Sequence, residues 1–189
     1  KKEYEYYDRL HKEKYRDRNQ SKAHHQSTLS IRLASNEKHS NELFDILSSE
    51  RFLPAGRIQA ALGATEREVS PFNCSVSQKV EDSIPSIYSA LGHAAQILRL
   101  GTGIGYNFSH LRPKGALVKK LQAQASGPLS FMRLFNESAS LIESAGHRRG
   151  AQMGILNVDH PDIEEFIDAK MANGALSFFN ISVGVSDDF

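Results

Sequence analysis

The chain has 189 residues, 40% hydrophobic and 24% charged, enough for a domain with a real core and ordinary for a soluble globular protein. Its 23 Lys and Arg against 22 Asp and Glu give a net charge of +1, so no general attraction to nucleic acid or to a membrane surface is expected. No apolar run approaches the ~20 residues of a membrane span, no secretory leader opens the chain, and the single cysteine has no internal partner, so the expected setting is cytoplasmic.

Residues 1–25 carry eight Lys or Arg and five Asp or Glu, with few apolar positions, mostly Tyr. Such a segment suits an exposed helix or a partly disordered arm, and residues 1–50 are expected to form an N-terminal helical or partly disordered segment ahead of the domain over 51–189. His24, His25 and His39 lack the neighbours of a metal site and read as surface residues. Residues 41–49 predict a short helix with Leu43, Phe44 and Leu47 on one face. Pro54 and Gly56 then mark a turn, where backbone N–H groups near Ala55 are free to meet a ligand, and an irregular connection is expected over 60–69.

Residues 70–76 read as the entry to a buried strand. Within it, Cys74 fits two accounts: a small buried hydrophobe, or a redox thiol that needs a second cysteine this chain does not contain. A helix follows, with Asp82 or Ser83 as cap and Pro85 in its first turn. Its apolar face is Ile84, Ile87, Leu91, Ala94 and Leu98, and Gly101 ends it. The Asp82 carboxylate suits a cap, and equally a sugar hydroxyl.

The stretch from Gly101 to Gly115 has glycines at 101, 103 and 105, a short strand, and a turn carrying Arg112 and Lys114. It is neither a P-loop, which needs Lys and a helix after the last Gly, nor a dinucleotide fingerprint, which runs strand, glycines, helix. It reads either as a helix end and tight turn, or as a loop whose uncovered N–H groups let an anion approach, with Arg112 as the phosphate partner. A basic connection with Lys119 and Lys120 leads to a helix from 126 with Met132, Phe135, Ala139 and Ile142 as its stripe. The pair Arg148 and Arg149 between glycines reads as a solvated basic turn, or as a loop that changes shape around a nucleotide. Residues 153–158 predict a strand, Asp159-His-Pro-Asp162 caps a helix with Ile163, Phe166 and Ile167 inward, and residues 177–185 predict another buried strand. From residue 70 the order is strand, helix, strand, helix, strand, helix, strand, an α/β architecture with parallel strands. Ligands in such folds gather at the carboxyl ends of strands.

Several segments in this order resemble the large, catalytic subunit of ribonucleotide reductase. They are Phe52-Leu-Pro-Ala-Gly-Arg57, Asn73-Cys74, Glu81-Asp-Ser-Ile84, Gly103-Ile-Gly-Tyr-Asn-Phe-Ser109, Leu111-Arg-Pro-Lys-Gly115, Ser126-Gly-Pro-Leu-Ser-Phe-Met132, Gly146-His-Arg-Arg-Gly-Ala151, Asp159-His-Pro-Asp-Ile163 and Phe179-Asn-Ile-Ser-Val183. The resemblance covers about residues 51–189. Each segment alone is weak; their order and spacing together are specific.

The resemblance implies a helical region followed by the first part of a ten-stranded α/β barrel, and a reaction that replaces a ribose 2′-hydroxyl by hydrogen through a thiyl radical. Cys74 matches the first of two cysteines that supply the electrons. Ala55, Asn73 and Gly103 match the lining of the ribonucleotide site, with Arg148 the side chain expected to face the substrate. Asp82, Ser83, Ile84, Arg112 and Lys119 match an allosteric deoxynucleoside triphosphate (dNTP) site. Ser144, Gly146, His147 and Arg149 match the loop that relays effector identity to the substrate. Homodimerisation through helices like the one over 83–100, a thioredoxin-like reductant, and a need for the remainder of the catalytic chain are further implications.

The second redox cysteine, the radical cysteine and the acid/base group of the family would all lie beyond Phe189, and both ends look cut, so this chain alone is expected to be inactive. The wording of the segments at 146–151 and 159–167 is closer to the adenosylcobalamin-dependent class than to the class whose radical comes from a separate metal-bearing subunit. The competing accounts are a stand-alone nucleotide-binding regulatory module and an inactive remnant. Neither contact with nucleic acid nor with a membrane is expected.

Overall fold

A computed structural model of the chain describes residues 26–63, 69–119, 121–142, 150–171 and 175–189. The chain divides into two compact units, residues 1–71 and 72–189.

In the first unit, residues 26–33 are helical, followed by helices α1 (Glu37–Ser48) and α2 (Gly56–Leu62). Asn36 caps α1, its side-chain oxygen accepting from the His39 N–H at 2.9 Å. Leu29, Leu47 and Ala61 are buried. The expected irregular connection begins later than residue 60, because α2 already covers 56–62. Its first turn is tied back through the Gln59 amide, which donates to the Pro54 carbonyl at 2.6 Å.

The second unit contains, in order, β1 (Cys74–Val76), α3 (Ile84–Arg99), β2 (Gly103–Asn107), β3 (Leu117–Val118), β4 (Ala123–Gln124), α4 (Pro128–Leu141), β5 (Gln152–Asn157), α5 (Ile163–Asp168) and β6 (Phe179–Gly184). Strands β1, β2, β5 and β6 form a parallel sheet in that spatial order, while β3 and β4 pair as a separate antiparallel ribbon. Each sheet strand lies beside its predecessor in the chain, with a helical crossover between them. This stepwise order is how a barrel is wound; a doubly wound sheet would reverse direction partway.

Alternation along the strands sorts the residues onto two faces. Ile104, Tyr106, Gln152, Leu156 and Phe179 are buried on the helix side. Cys74 and Gly103 pair in register on the opposite face, and Gly105 pairs with Met153 there. The helices contribute Ile87, Ala90, Ala94 and Leu98 from α3, Met132, Phe135 and Ala139 from α4, and Phe166 from α5. Four rings form the centre. Tyr106 and Phe135 meet edge to face at 4.9 Å, Phe108 and Phe135 at 5.6 Å, and Phe179 lies tilted within 6.3 Å of both Tyr106 and Phe108.

The polar groups of Tyr106 and Gln152 in this core are satisfied. The Tyr106 hydroxyl donates to Gln152 Oε1 at 2.8 Å, and Gln152 Nε2 donates to the Phe135 carbonyl at 3.2 Å. Burial pushes the Tyr106 phenol well above its ordinary pKa.

Two expected inward residues face out. Ile84 is 58% exposed because it opens α3 ahead of the stripe that meets the sheet, and Ala90 takes its place in the core. Ile167 is 53% exposed because the six residues of α5 turn one side to the sheet, and Phe166 fills it.

Candidate functional site

At the amino end of the sheet, the Thr102 hydroxyl donates to the Phe72 carbonyl at 2.9 Å, and the Gly103 N–H donates to the Asn73 carbonyl at 2.8 Å. These bonds fix Asn73 and Cys74 beside the glycine loop. Cys74 is an exposed free thiol, so the account of it as a small buried hydrophobe fails. A Cβ on Gly103 would sit 3.7 Å from Cys74 Sγ and 3.2 Å from the Ala151 carbonyl. The missing side chain therefore leaves the sulfur uncovered on that side. The Ala151 carbonyl also accepts from the Ile104 N–H at 3.1 Å.

Ser144, Gly146, His147, Arg148 and Arg149 lie outside the described residues, as does Lys120. Ala55 belongs to the first unit, where it is the exposed N-cap of α2.

At the carboxyl ends of β1 and β2 lies a cavity of about 290 Å³. It brings together Asp82, Ser83, Ile84 and Arg112 of the expected effector residues, with Ile87, Leu111, Val118, Leu121 and Phe131 as an apolar wall. The amino terminus of α3 opens onto it at Ser83, whose side chain accepts from the Ser86 N–H at 3.4 Å, and that of α4 opens onto it at Ser126 and Gly127. Two helix N-termini and a guanidinium make the cavity attractive to an anion, and its apolar wall suits a flat base. Lys119 is exposed in the β3–β4 turn and is not part of the cavity wall.

Asp82 and Arg112 engage each other: Nε donates to Oδ2 at 2.7 Å and the Arg112 N–H to Oδ1 at 3.3 Å. Both side chains are about a third exposed, 35% and 37%. An ion pair at that exposure is worth about 0.2–1 kcal/mol. A polyphosphate can therefore draw Arg112 away and release the carboxylate for a sugar hydroxyl at small cost.

Sequence reasoning missed two walls of this cavity. The β3–β4 ribbon forms one, contributing Val118 and Gln124. Gly127 belongs to the other, at φ 77° and ψ 170°, a region open essentially to glycine alone. A Cβ there would come within 2.8 Å of Asp162 Oδ2 and 3.0 Å of the Lys114 nitrogen. The segment 159–162 was expected to cap α5. Asp162 does hold the N-cap position but makes no side-chain capping bond; its carboxylate accepts instead from the Lys114 N–H at 2.9 Å.

Among the described residues no group of three His, Cys, Asp or Glu could hold a metal ion, and no helix is long and apolar enough to cross a membrane.

Residues 72–189 match the family described as "Ribonucleotide reductase, barrel domain". The chain is 50% identical over 111 residues to the vitamin B12-dependent ribonucleoside-diphosphate reductase of Mycobacterium tuberculosis, covering 58% of this chain and 16% of that protein. It is 45% identical over 150 residues to the enzyme of the same name from Thermoplasma acidophilum, covering 79% of this chain and 19% of that protein. The chain thus spans less than a fifth of the length of these curated relatives. Among solved structures, the Actinobacillus ureae class Id ribonucleotide reductase alpha subunit superposes with a TM-score of 0.70 at 21% identity, over 88% of this chain and 30% of that one, a likeness of fold.

Proposed function

The chain belongs to the ribonucleotide reductase barrel-domain family, and from that premise we propose that it is part of a catalytic chain that reduces ribonucleotides to deoxyribonucleotides by thiyl-radical chemistry. The observation that carries this is the exposed Cys74 thiol, held in register beside Gly103, which has no side chain to cover it. In the proposed reaction the ribose 2′-hydroxyl leaves as water and hydrogen takes its place. The two electrons come from two thiols, that of Cys74 and one outside this chain, which become a disulfide. A thioredoxin-like dithiol then reduces that disulfide and is itself oxidised.

Asn73 and Gly103 line the substrate side of this site in the proposal. The cavity at the other strand ends takes a dNTP effector: Arg112 and Lys119 meet the phosphates, Asp82 and Ser83 the sugar, and Ile84 the base. Ser144, Gly146, His147 and Arg149 belong to the loop that carries the effector's identity to the substrate. A homodimer built on α3 would complete the effector site.

Adenosylcobalamin is the proposed radical source, since the curated relatives are named vitamin B12-dependent. When bound it would supply the radical by homolysis of its carbon–cobalt bond. The cavity of about 290 Å³ suits a nucleotide, not a corrin, so the residues lining it are not the cofactor's cradle. A separate metal-bearing subunit is the less favoured radical source. For the substrate, the names of the same relatives favour a ribonucleoside diphosphate.

A stand-alone regulatory module would retain the effector cavity and have no use for an open thiol at the far end of the same strands. The full chain as its gene encodes it, supplied with adenosylcobalamin, a dithiol and a ribonucleoside diphosphate, is expected to release the deoxynucleotide, with dNTPs changing which base is preferred. Binding of dNTP without any product would favour the regulatory module.

A further inference from the structure

We infer that His160 and Asp162 are positioning residues for the dNTP site, acting through the turn that carries Arg112; this rests on the effector reading proposed above. His160 is buried at 7% exposure, and both its ring nitrogens are committed. Nε2 lies 2.9 Å from the Leu111 carbonyl, and the Asp162 N–H points at Nδ1 from 3.1 Å. A carbonyl only accepts and a backbone N–H only donates, so the two contacts together fit the tautomer with its proton on Nε2. One nitrogen therefore folds the 160–162 turn locally. The other reaches 49 residues back along the chain to the residue before Arg112.

Asp162 completes the clamp on the other side. Its Oδ2 accepts from the Lys114 N–H at 2.9 Å, and Lys114 Nζ meets Glu165 Oε2 at 3.1 Å. The carbonyl before Arg112 and the N–H two residues after it are thus both held by the 160–165 segment, with the rigid Pro113 between. The same Asp162 carboxylate packs against Gly127 at the amino terminus of α4, which also lines the cavity. With its backbone fixed at both ends, Arg112 is left only its side chain to move between Asp82 and a phosphate. The restraint lowers the entropy that binding must remove.

Two substitutions separate this role from local turn formation. Asn at 160 places an acceptor where Nδ1 was and keeps the local turn, but cannot reach Leu111. Gln at 160 places a donor near Nε2 and keeps the Leu111 bond, but loses the local one. In the full chain, dTTP affinity measured by calorimetry is expected to fall about three- to tenfold in His160→Asn, the range of one lost buried hydrogen bond. His160→Gln is expected to stay within about twofold of the parent, and turnover at saturating dTTP to be unchanged in both. Should His160→Asn not fold, Asp162→Ala removes the acceptor for the Lys114 N–H and is expected to weaken dTTP in the same way.

Arg112→Ala serves as the control and is expected to weaken dTTP by about 10- to 150-fold. If Arg112→Ala weakens dTTP while His160→Asn and Asp162→Ala do not, or if Asn retains affinity and Gln loses it, the positioning inference is overturned and the effector site stands. If Arg112→Ala changes nothing, the effector reading itself fails.

Discussion

Replacing Cys74 with serine is expected to stop ribonucleotide reduction by the full chain, lowering turnover by more than about 10³-fold, the scale on which loss of one member of a catalytic unit acts. A serine hydroxyl cannot give up electrons to form a disulfide, so the reducing pair is broken rather than weakened. Fold and effector binding should be untouched. The thiol is exposed, and exchanging sulfur for oxygen there changes stability by no more than about 0.5 kcal/mol. The cavity proposed for the effector opens beyond the far ends of β1 and β2, and the five residues of β2 alone span about 16 Å, well past the 7–10 Å within which substitutions couple. Activity assays beside dNTP titrations check both halves. A serine variant that still turns over would remove Cys74 from the chemistry. One that also loses dNTP binding would mean the two ends of the sheet are not independent.

The second large effect is on stability. Phe135→Ala is expected to cost about 3–5 kcal/mol, measured as a fall in the urea midpoint of the unit over 72–189. Phe135 is wholly buried on α4 and meets both Tyr106 and Phe108 edge to face. Its removal leaves a ring-sized void under the sheet, and surrounding side chains collapse into such voids only in part. Against a total stability of about 5–15 kcal/mol for a domain, this loss is large. A cost below about 1 kcal/mol would show that this aromatic centre does not hold the helices to the sheet.

Most of the sheet was legible because periodicity is local. The stripe Met132, Phe135 and Ala139 follows from spacing alone, and so did the parallel order of strands and helices. The β3–β4 ribbon was not legible, since two-residue strands carry no alternation to detect. Helix α2 was missed because Pro54 and Gly56, which mark a turn, also stand where a helix begins. The outward turn of Ile84 and Ile167 depends on how far each helix lies across the sheet, which spacing does not encode.

The candidate sites divide the same way. Asp82, Ser83, Ile84 and Arg112, named from sequence for the proposed effector site, line one cavity and Lys119 does not; the cavity lies at strand carboxyl ends, where α/β folds usually place ligands. Cys74 departs from that rule: with Gly103 it sits at the amino end of its strand. The pairing of Asp82 with Arg112 spans 30 residues and that of His160 with Leu111 spans 49, and nothing in either local sequence announces its partner. His160 lies in a segment whose local reading was a helix cap, which says nothing of the turn that it grips.

The most direct measurement is a single turnover of the full chain without added dithiol, followed by mass-spectrometric mapping of its disulfides. The proposed chemistry requires one new disulfide for each deoxynucleotide formed, with Cys74 as one of its two halves. Deoxynucleotide formed while Cys74 remains a free thiol would contradict it.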